Sequence, residues 1–305
     1  MANTMLTRSP LASYSFTDSS GANIRVCYQN RDGVIGMTGY DDKKGWRVRS
    51  NNIGSADLNN GMALTGWNSG KELRLYTVRS DGAIAERCYS GGEWYDGELT
   101  GVFVAAKYSQ LAAAAFETSN GTISIRVYYQ DPDNKIHEAC RDGSEPWFDG
   151  NIFETAIAAT SIAVSQIPGR EWYLWLFFQR PNTEFVEWLM QASSSWKQGV
   201  FKSQATYDPG AYISCASYGR DDHRVFTVDR ENKLCVTEFN AGSNNWQPTK
   251  QLGPVIPQSA LAAVPVPGNV PWVRIYVQTS PGQIAEWGTN DGKNYSLMAS
   301  QLPTN

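Results

Sequence analysis

The chain has 305 residues, 26 Lys and Arg against 30 Asp and Glu, and a formal net charge of −4. A composition of 41% hydrophobic and 18% charged residues is enough for a packed core and excludes a disordered chain. Mild acidity without a run of Lys and Arg argues against a nucleic-acid partner, whose recognition rests on clustered positive charge.

At the N-terminus, Met1–Phe16 lacks the basic stretch followed by an apolar run that marks an export signal. The longest fully apolar run, Trp172–Phe178, falls far short of the roughly 18 residues a membrane helix needs, so no membrane insertion is expected. The expected location is the cytoplasm, or a cell or spore surface reached by a non-classical route. Cys27, Cys88, Cys140, Cys215 and Cys235 are odd in number and form no CxxC pair, which reads as free thiols. No His, Cys or acidic group has metal-ligand spacing, and there is no Walker loop or dinucleotide fingerprint; neither a metal nor a cofactor is expected.

An internal repeat organises the whole chain. The segment Ile125-Arg-Val-Tyr-Tyr-Gln130 has relatives at Ile24–Gln29, Leu73–Tyr76, Leu174–Gln179, His223–Phe226 and Val273–Gln278. Its Arg position falls at 25, 74, 126, 175 (a Trp), 224 and 274, at intervals of 49, 52, 49, 49 and 50. A ring follows each in register: Trp46, Trp94, Trp147, Trp196, Trp246 and Tyr295. A small-residue stretch precedes each, at Leu11, Met62, Leu111, Ile157, Ile213 and Leu261. The Arg segment alternates, Ile125, Val127 and Tyr129 on one face against Arg126, Tyr128 and Gln130 on the other, as a strand does. Turns such as Asp32-Gly33 and Asp81-Gly82 separate the runs. Four short strands in about fifty residues, six times over, predict an all-β six-bladed propeller, with residues 1–305 as one domain. The small residues are expected on the strands nearest the axis. A β-sandwich has no need of so long a period.

Twelve residues after the Arg position stands Glu86, Glu138, Glu187 or Glu286; Met37 and Val236 replace it in the first and fifth units. The pairs Arg74/Glu86, Arg126/Glu138 and Arg274/Glu286 are complete, and each pair lies on neighbouring strands of one hairpin. A cross-strand ion pair would explain this much, at about 0.2–1 kcal/mol. The recurrence of a ring with each pair instead fits a sugar, whose hydroxyls take charge-assisted hydrogen bonds while its C–H face packs on aromatic rings.

The pattern I-R-V-Y-Y-Q, (D/N)-G-x-I-x-E and G-x-x-W resembles the fungal fucose-binding lectins of the Aleuria aurantia type, over all six units. The resemblance implies a non-enzymatic lectin with sites in the clefts between adjacent blades. Arg and Glu of one blade and Trp of the next would bind the hydroxyls, and rings would receive the fucose methyl. Carried across, it implies strong sites at Arg74, Glu86 and Trp147; at Arg126, Glu138 and Trp196; and at Arg274, Glu286, Trp46 and Tyr40. Weaker sites are expected at Arg25, Trp94 and Tyr89, where Met37 replaces the acid; at Glu187, Trp246 and Phe239, where Trp175 replaces the Arg; and at Arg224 and Tyr295, where acid and indole are both missing. The implied partners are L-fucose, fucosylated oligosaccharides or glycoproteins, and a second copy in a homodimer.

Two other functions compete. A propeller glycosidase needs two carboxylates about 5–10 Å apart around one bond, whereas each unit offers one Glu beside an Arg, a neighbour that disfavours proton donation. A sugar-independent interaction propeller would carry WD and GH signatures, and these are missing.

Overall fold

A computed structural model describes residues 5–167, 173–191, 195–219 and 222–304. Trp172, the first residue of the long apolar run, lies outside them. Each unit folds as one antiparallel sheet whose strands pair in chain order. The innermost strands are Leu11–Asp18, Met62–Trp67, Leu111–Glu117, Ala163–Gln166, Ile213–Gly219 and Ala262–Pro265. Each touches the next around the ring, and the sixth returns to the first. The result is a six-bladed propeller. The second strand of a blade, such as Ile123–Gln130 or Leu174–Gln179, is buried almost without a break, because each blade packs one face on the blade before it and the other on the blade after.

Small side chains line the axial channel, including Ala12, Ala63, Ala112, Ala163, Cys215 and Ala262, as expected where six strands converge. One landmark is corrected. Ile157-Ala-Ala is not the fourth inner strand; it forms the turn before it, with Thr160 N–H donating to the Ile157 carbonyl and Ala159 at φ 61°. The strand itself begins at Ala163, restoring the spacing of the other blades.

Buried glutamines four residues past the Arg position fasten successive blades. Gln130 Nε2 donates to the Ile157 carbonyl at 2.9 Å and its Oε1 accepts from Ala159 N–H; Gln29 and Gln179 hold the corresponding turns. Gln278 makes the same clamp on the chain's beginning, donating to the Leu6 carbonyl and accepting from Arg8 N–H, and so closes the ring. The outer strands vary most. The first blade's is Gly45–Ser55, the fourth's only Lys197–Gln198, and the fifth's is split into Asn245–Trp246 and Lys250–Pro254. Among the described residues no helix is long and apolar enough to cross a membrane.

Candidate functional site

Strand register decides which side chains share a cleft. Tyr76 lies opposite Glu86, Tyr128 opposite Glu138 and Tyr276 opposite Glu286. Opposed residues in an antiparallel pair point the same way, and so do residues two apart on one strand. Arg, Tyr and Glu of one blade therefore face the same cleft. The next blade presents its ring there: Trp147 meets Tyr76 edge-on at 6.3 Å, Trp196 meets Tyr128 at 6.1 Å, and Trp46 meets Tyr276 at 5.8 Å. The three complete sets of residues expected from the sequence are thus brought together.

The carboxylates are held from within their own blade. Tyr76 Oη donates to Glu86 Oε1 at 3.0 Å and Leu99 N–H to Oε2 at 3.1 Å. Tyr128 Oη donates to Glu138 Oε1 at 2.8 Å and Asn151 N–H to Oε2 at 3.1 Å. A glycine makes room, Gly97 just past its outer strand and Gly150 on its own: a Cβ at either would collide with the Glu86 or Glu138 carboxylate. The tyrosines and glycines were missed as site residues. Their signal was visible, since Tyr stands two residues after Arg in all three complete units and in no other.

Each Arg is fixed by carbonyls and by a ring of its own blade. Arg74 and Arg126 donate to the Leu73 and Ile125 carbonyls at 2.8 Å and sit over Trp67 and Phe116; Arg274 sits over Trp272. Arg74 Nε lies 4.0 Å from Glu86 and Arg274 Nε 3.6 Å from Glu286. Arg126 also pairs with Asp142 at 2.9 Å. Burial raises the Glu286 carboxyl above its usual range, against the Arg274 charge and hydrogen bonds from Tyr276 and Trp46. Tyr40 stands 5.8 Å from Trp46, within the field of Arg274 and Glu286. The buried indole N–H groups of Trp147 and Trp196 find no acceptor among the described residues.

The other three clefts differ from these and from one another. In the first, Cys27 faces Met37 where the others have Tyr facing Glu, and both pack with Tyr89 and Trp94 of the second blade. In the fourth, Trp175 stacks on His223 at 4.7 Å, and Trp246 Nε1 donates to Glu187 Oε2 at 3.2 Å. Phe177 replaces the Tyr, Phe239 packs on Trp246 at 5.4 Å, and burial pushes the Glu187 carboxyl up to about 7.

The fifth cleft corrects an expectation. Position 236 is Val, yet Arg224 has an acid: Glu238, directly opposite it, with Nε to Oε1 at 3.4 Å. Tyr295 Oη also donates to Glu238 at 3.2 Å, and Lys250 pairs with it at 2.9 Å. Glu238 escaped notice because it breaks the twelve-residue offset while keeping to the same alternating face. Among the described residues no group of three or more His, Cys, Asp or Glu side chains is placed to hold a metal ion.

A sequence profile described as "Fungal fucose-specific lectin" matches residues 3–101 and 50–305. The chain is 28% identical over 313 residues to the fucose-specific lectin of Aleuria aurantia, covering 98% of this chain and 97% of that protein. It is 27% identical over 318 residues to the fucose-specific lectin of Aspergillus fumigatus, covering 99% and 98%. The crystal structure of the Aleuria aurantia lectin, described as a six-bladed propeller with a novel fucose recognition mode, superimposes with a TM-score of 0.87 at 26% identity, over 99% of this chain and 98% of that one. With the profile spanning nearly its whole length and the blade geometry in agreement, the chain belongs to the fungal fucose-specific lectin family.

Proposed function

We propose that this protein is a multivalent lectin that binds L-fucose and fucosylated oligosaccharides in the clefts between blades, most strongly where Arg, Tyr, Glu and Trp are all present. The observation that carries this reading is the pair of buried, acceptorless indole N–H groups of Trp147 and Trp196, each beside an Arg and a Glu of the preceding blade. An unpaired buried donor costs about 1–3 kcal/mol, so a cleft that keeps one is suited to a ligand oxygen. The Arg supplies further donors, the Glu an acceptor, and the rings an apolar wall. Burying a methyl there contributes about 0.8 kcal/mol. A hydroxymethyl in the same spot costs roughly 1–3 kcal/mol without a partner, which favours a 6-deoxy sugar.

Each site is small, and several on one rigid ring raise apparent affinity for a glycan-coated surface by about 10² or more where spacing permits. The family resemblance supports a homodimer, which sedimentation would reveal. Calorimetric titration with α-methyl fucoside tests the reading: saturable binding that falls to background in the triple variant Arg74→Ala/Arg126→Ala/Arg274→Ala supports it. Undiminished binding in that variant, or turnover of a chromogenic fucoside, defeats it.

A further inference from the structure

The first cleft gathers positive charge that its sequence neighbourhood conceals. Arg25, Gly39 and Arg47 form one cross-strand row of the first blade and so point to one face. A Cβ on Gly39 would touch the side chains of both Arg25 and Arg49, so the bare glycine lets these two arginines lie side by side. It is the face that meets Tyr89 and Trp94 of the second blade, through Cys27 and Met37. One carboxylate serves two of the guanidinium groups: Arg47 Nη2 and Arg49 Nη2 reach the same oxygen of Asp41, at 2.6 and 2.8 Å. The other Asp41 oxygen is taken by the Lys43 and Lys44 backbone amides. Arg47 Nη1 and Arg49 Nε are buried and have no acceptor among the described residues.

Arg25 has lost the acid that its counterparts face. It donates to the Ile24 and Tyr40 carbonyls at 2.8 and 3.1 Å and lies over Phe16. Its other charged neighbours are Asp18, Asp41, Arg47 and Arg49. Burial, then the charges of Arg49 and Arg47, bring its own proton affinity down to about 10. On the opposing blade Arg87 is paired with Asp96 at 2.6 Å.

A guanidinium can only donate. A cleft with three of them, whose facing carboxylate Asp41 is fully engaged and whose other acidic neighbour Asp18 is exposed, is poorly matched to a neutral sugar, whose hydroxyls must also donate. It matches an acceptor-only group. We propose that the cleft between the first and second blades is an anion-selective sugar site, taking a fucoside that bears a sulfate ester, whose oxygens engage Arg25, Arg47 and Arg49. Sulfate is preferred to carboxylate because it presents three terminal oxygens to three separately placed forks. The sugar half of this ligand rests on the lectin reading; the anion half rests on the arginines alone.

Calorimetric titrations with α-methyl fucoside and with its monosulfated counterpart test it. At low salt the sulfated sugar saturates with one more equivalent than the neutral one, and the extra equivalent disappears at high salt. In Arg47→Gln/Arg49→Gln the extra site weakens about tenfold or more, while the neutral sugar titrates as before. Met37→Glu shifts the same cleft the other way, toward the neutral sugar. An equal number of equivalents for the two sugars, or an extra site untouched by the Arg substitutions, overturns the proposal. So does displacement by inorganic sulfate as effective as by the sulfated sugar, since the site would then read an ion and no sugar. Failure of the neutral fucoside to bind anywhere defeats the lectin reading instead, and Arg-dependent binding of sulfate would persist.

Discussion

The third and fourth clefts start from the same blade plan and end as opposites. In the third, Glu138 is held by Tyr128 and by Asn151 N–H, the Arg126 charge stands beside it, and the Trp196 indole is left without an acceptor. In the fourth, Trp175 replaces the Arg and Phe177 the Tyr, so Glu187 is buried with neither cation nor hydroxyl. The indole of Trp246 turns inward to serve it, together with Phe201 N–H at 2.9 Å. Trp175, His223 and Trp246 then pack on one another, each at most 7% exposed. With both guanidinium and phenol missing, the fourth cleft is closed by an aromatic seam, whereas the third keeps a buried indole N–H without an acceptor among the described residues.

The contrast is broken most severely at the cation. Arg126→Ala removes charge-assisted donors worth about 1.5–3 kcal/mol and leaves the third cleft roughly tenfold to a hundredfold weaker for α-methyl fucoside. Calorimetric stoichiometry should fall by one site. Substitution of Trp175 in the fourth cleft should leave stoichiometry unchanged, and a drop there would contradict the contrast.

Next comes the pH dependence of stability. Burial pushes the Glu187 carboxyl up to about 7 in the fold, from its ordinary 4.5, so the unfolded state ionises first. Stability is therefore lost as pH rises between those values, by about 3 kcal/mol in all. His223, 1% exposed, is pushed down by burial to about 3 from 6.5, so stability is lost as pH falls below 6.5. Between about pH 4.5 and 6.5 the two slopes oppose and nearly cancel. Denaturant titrations of Glu187→Gln and His223→Leu across that range should each expose a slope, of opposite sign: the first variant gains stability with rising pH and the second loses it. Parallel profiles would show that the seam does not bury these groups as described.

The smallest effect separates the two indoles. Trp196→Phe should weaken sugar binding at the third cleft by about 1 kcal/mol with little loss of fold stability, because its N–H has no partner to lose. Trp246→Phe should do the reverse, destabilising the fold by removing a donor to Glu187 while leaving sugar binding alone. Thermal unfolding beside titration distinguishes them.

Much of this was legible in one dimension. A period near fifty residues with landmarks in register implies six copies of one sheet, and strand alternation already puts Arg126 and Tyr128 on one face. The Arg/Glu pairs and the recurring rings were legible because each lies at a constant offset, whereas the joining of each pair to the Trp of the next blade was implied by the family resemblance. What broke the offset was lost: Glu238, two residues beyond its expected place, and the inner strand at Ala163, displaced from the Ala pair at 158–159. The gathering of Arg25, Arg47 and Arg49 was also missed, because the first comes from one strand and the others from the end of the next hairpin.

The sequence by itself determined the number of blades, their strand order and which residue types recur, because local alternation and tandem repetition are written in the spacing of neighbouring residues. The tertiary structure alone decided that Glu238 meets Arg224, which indole stays unpaired and which cleft is sealed. Those outcomes depend on cross-strand register within a blade and on what the adjoining blade presents, as where Trp246 reaches Glu187 from 59 positions away, and there burial and hydrogen-bond satisfaction are settled.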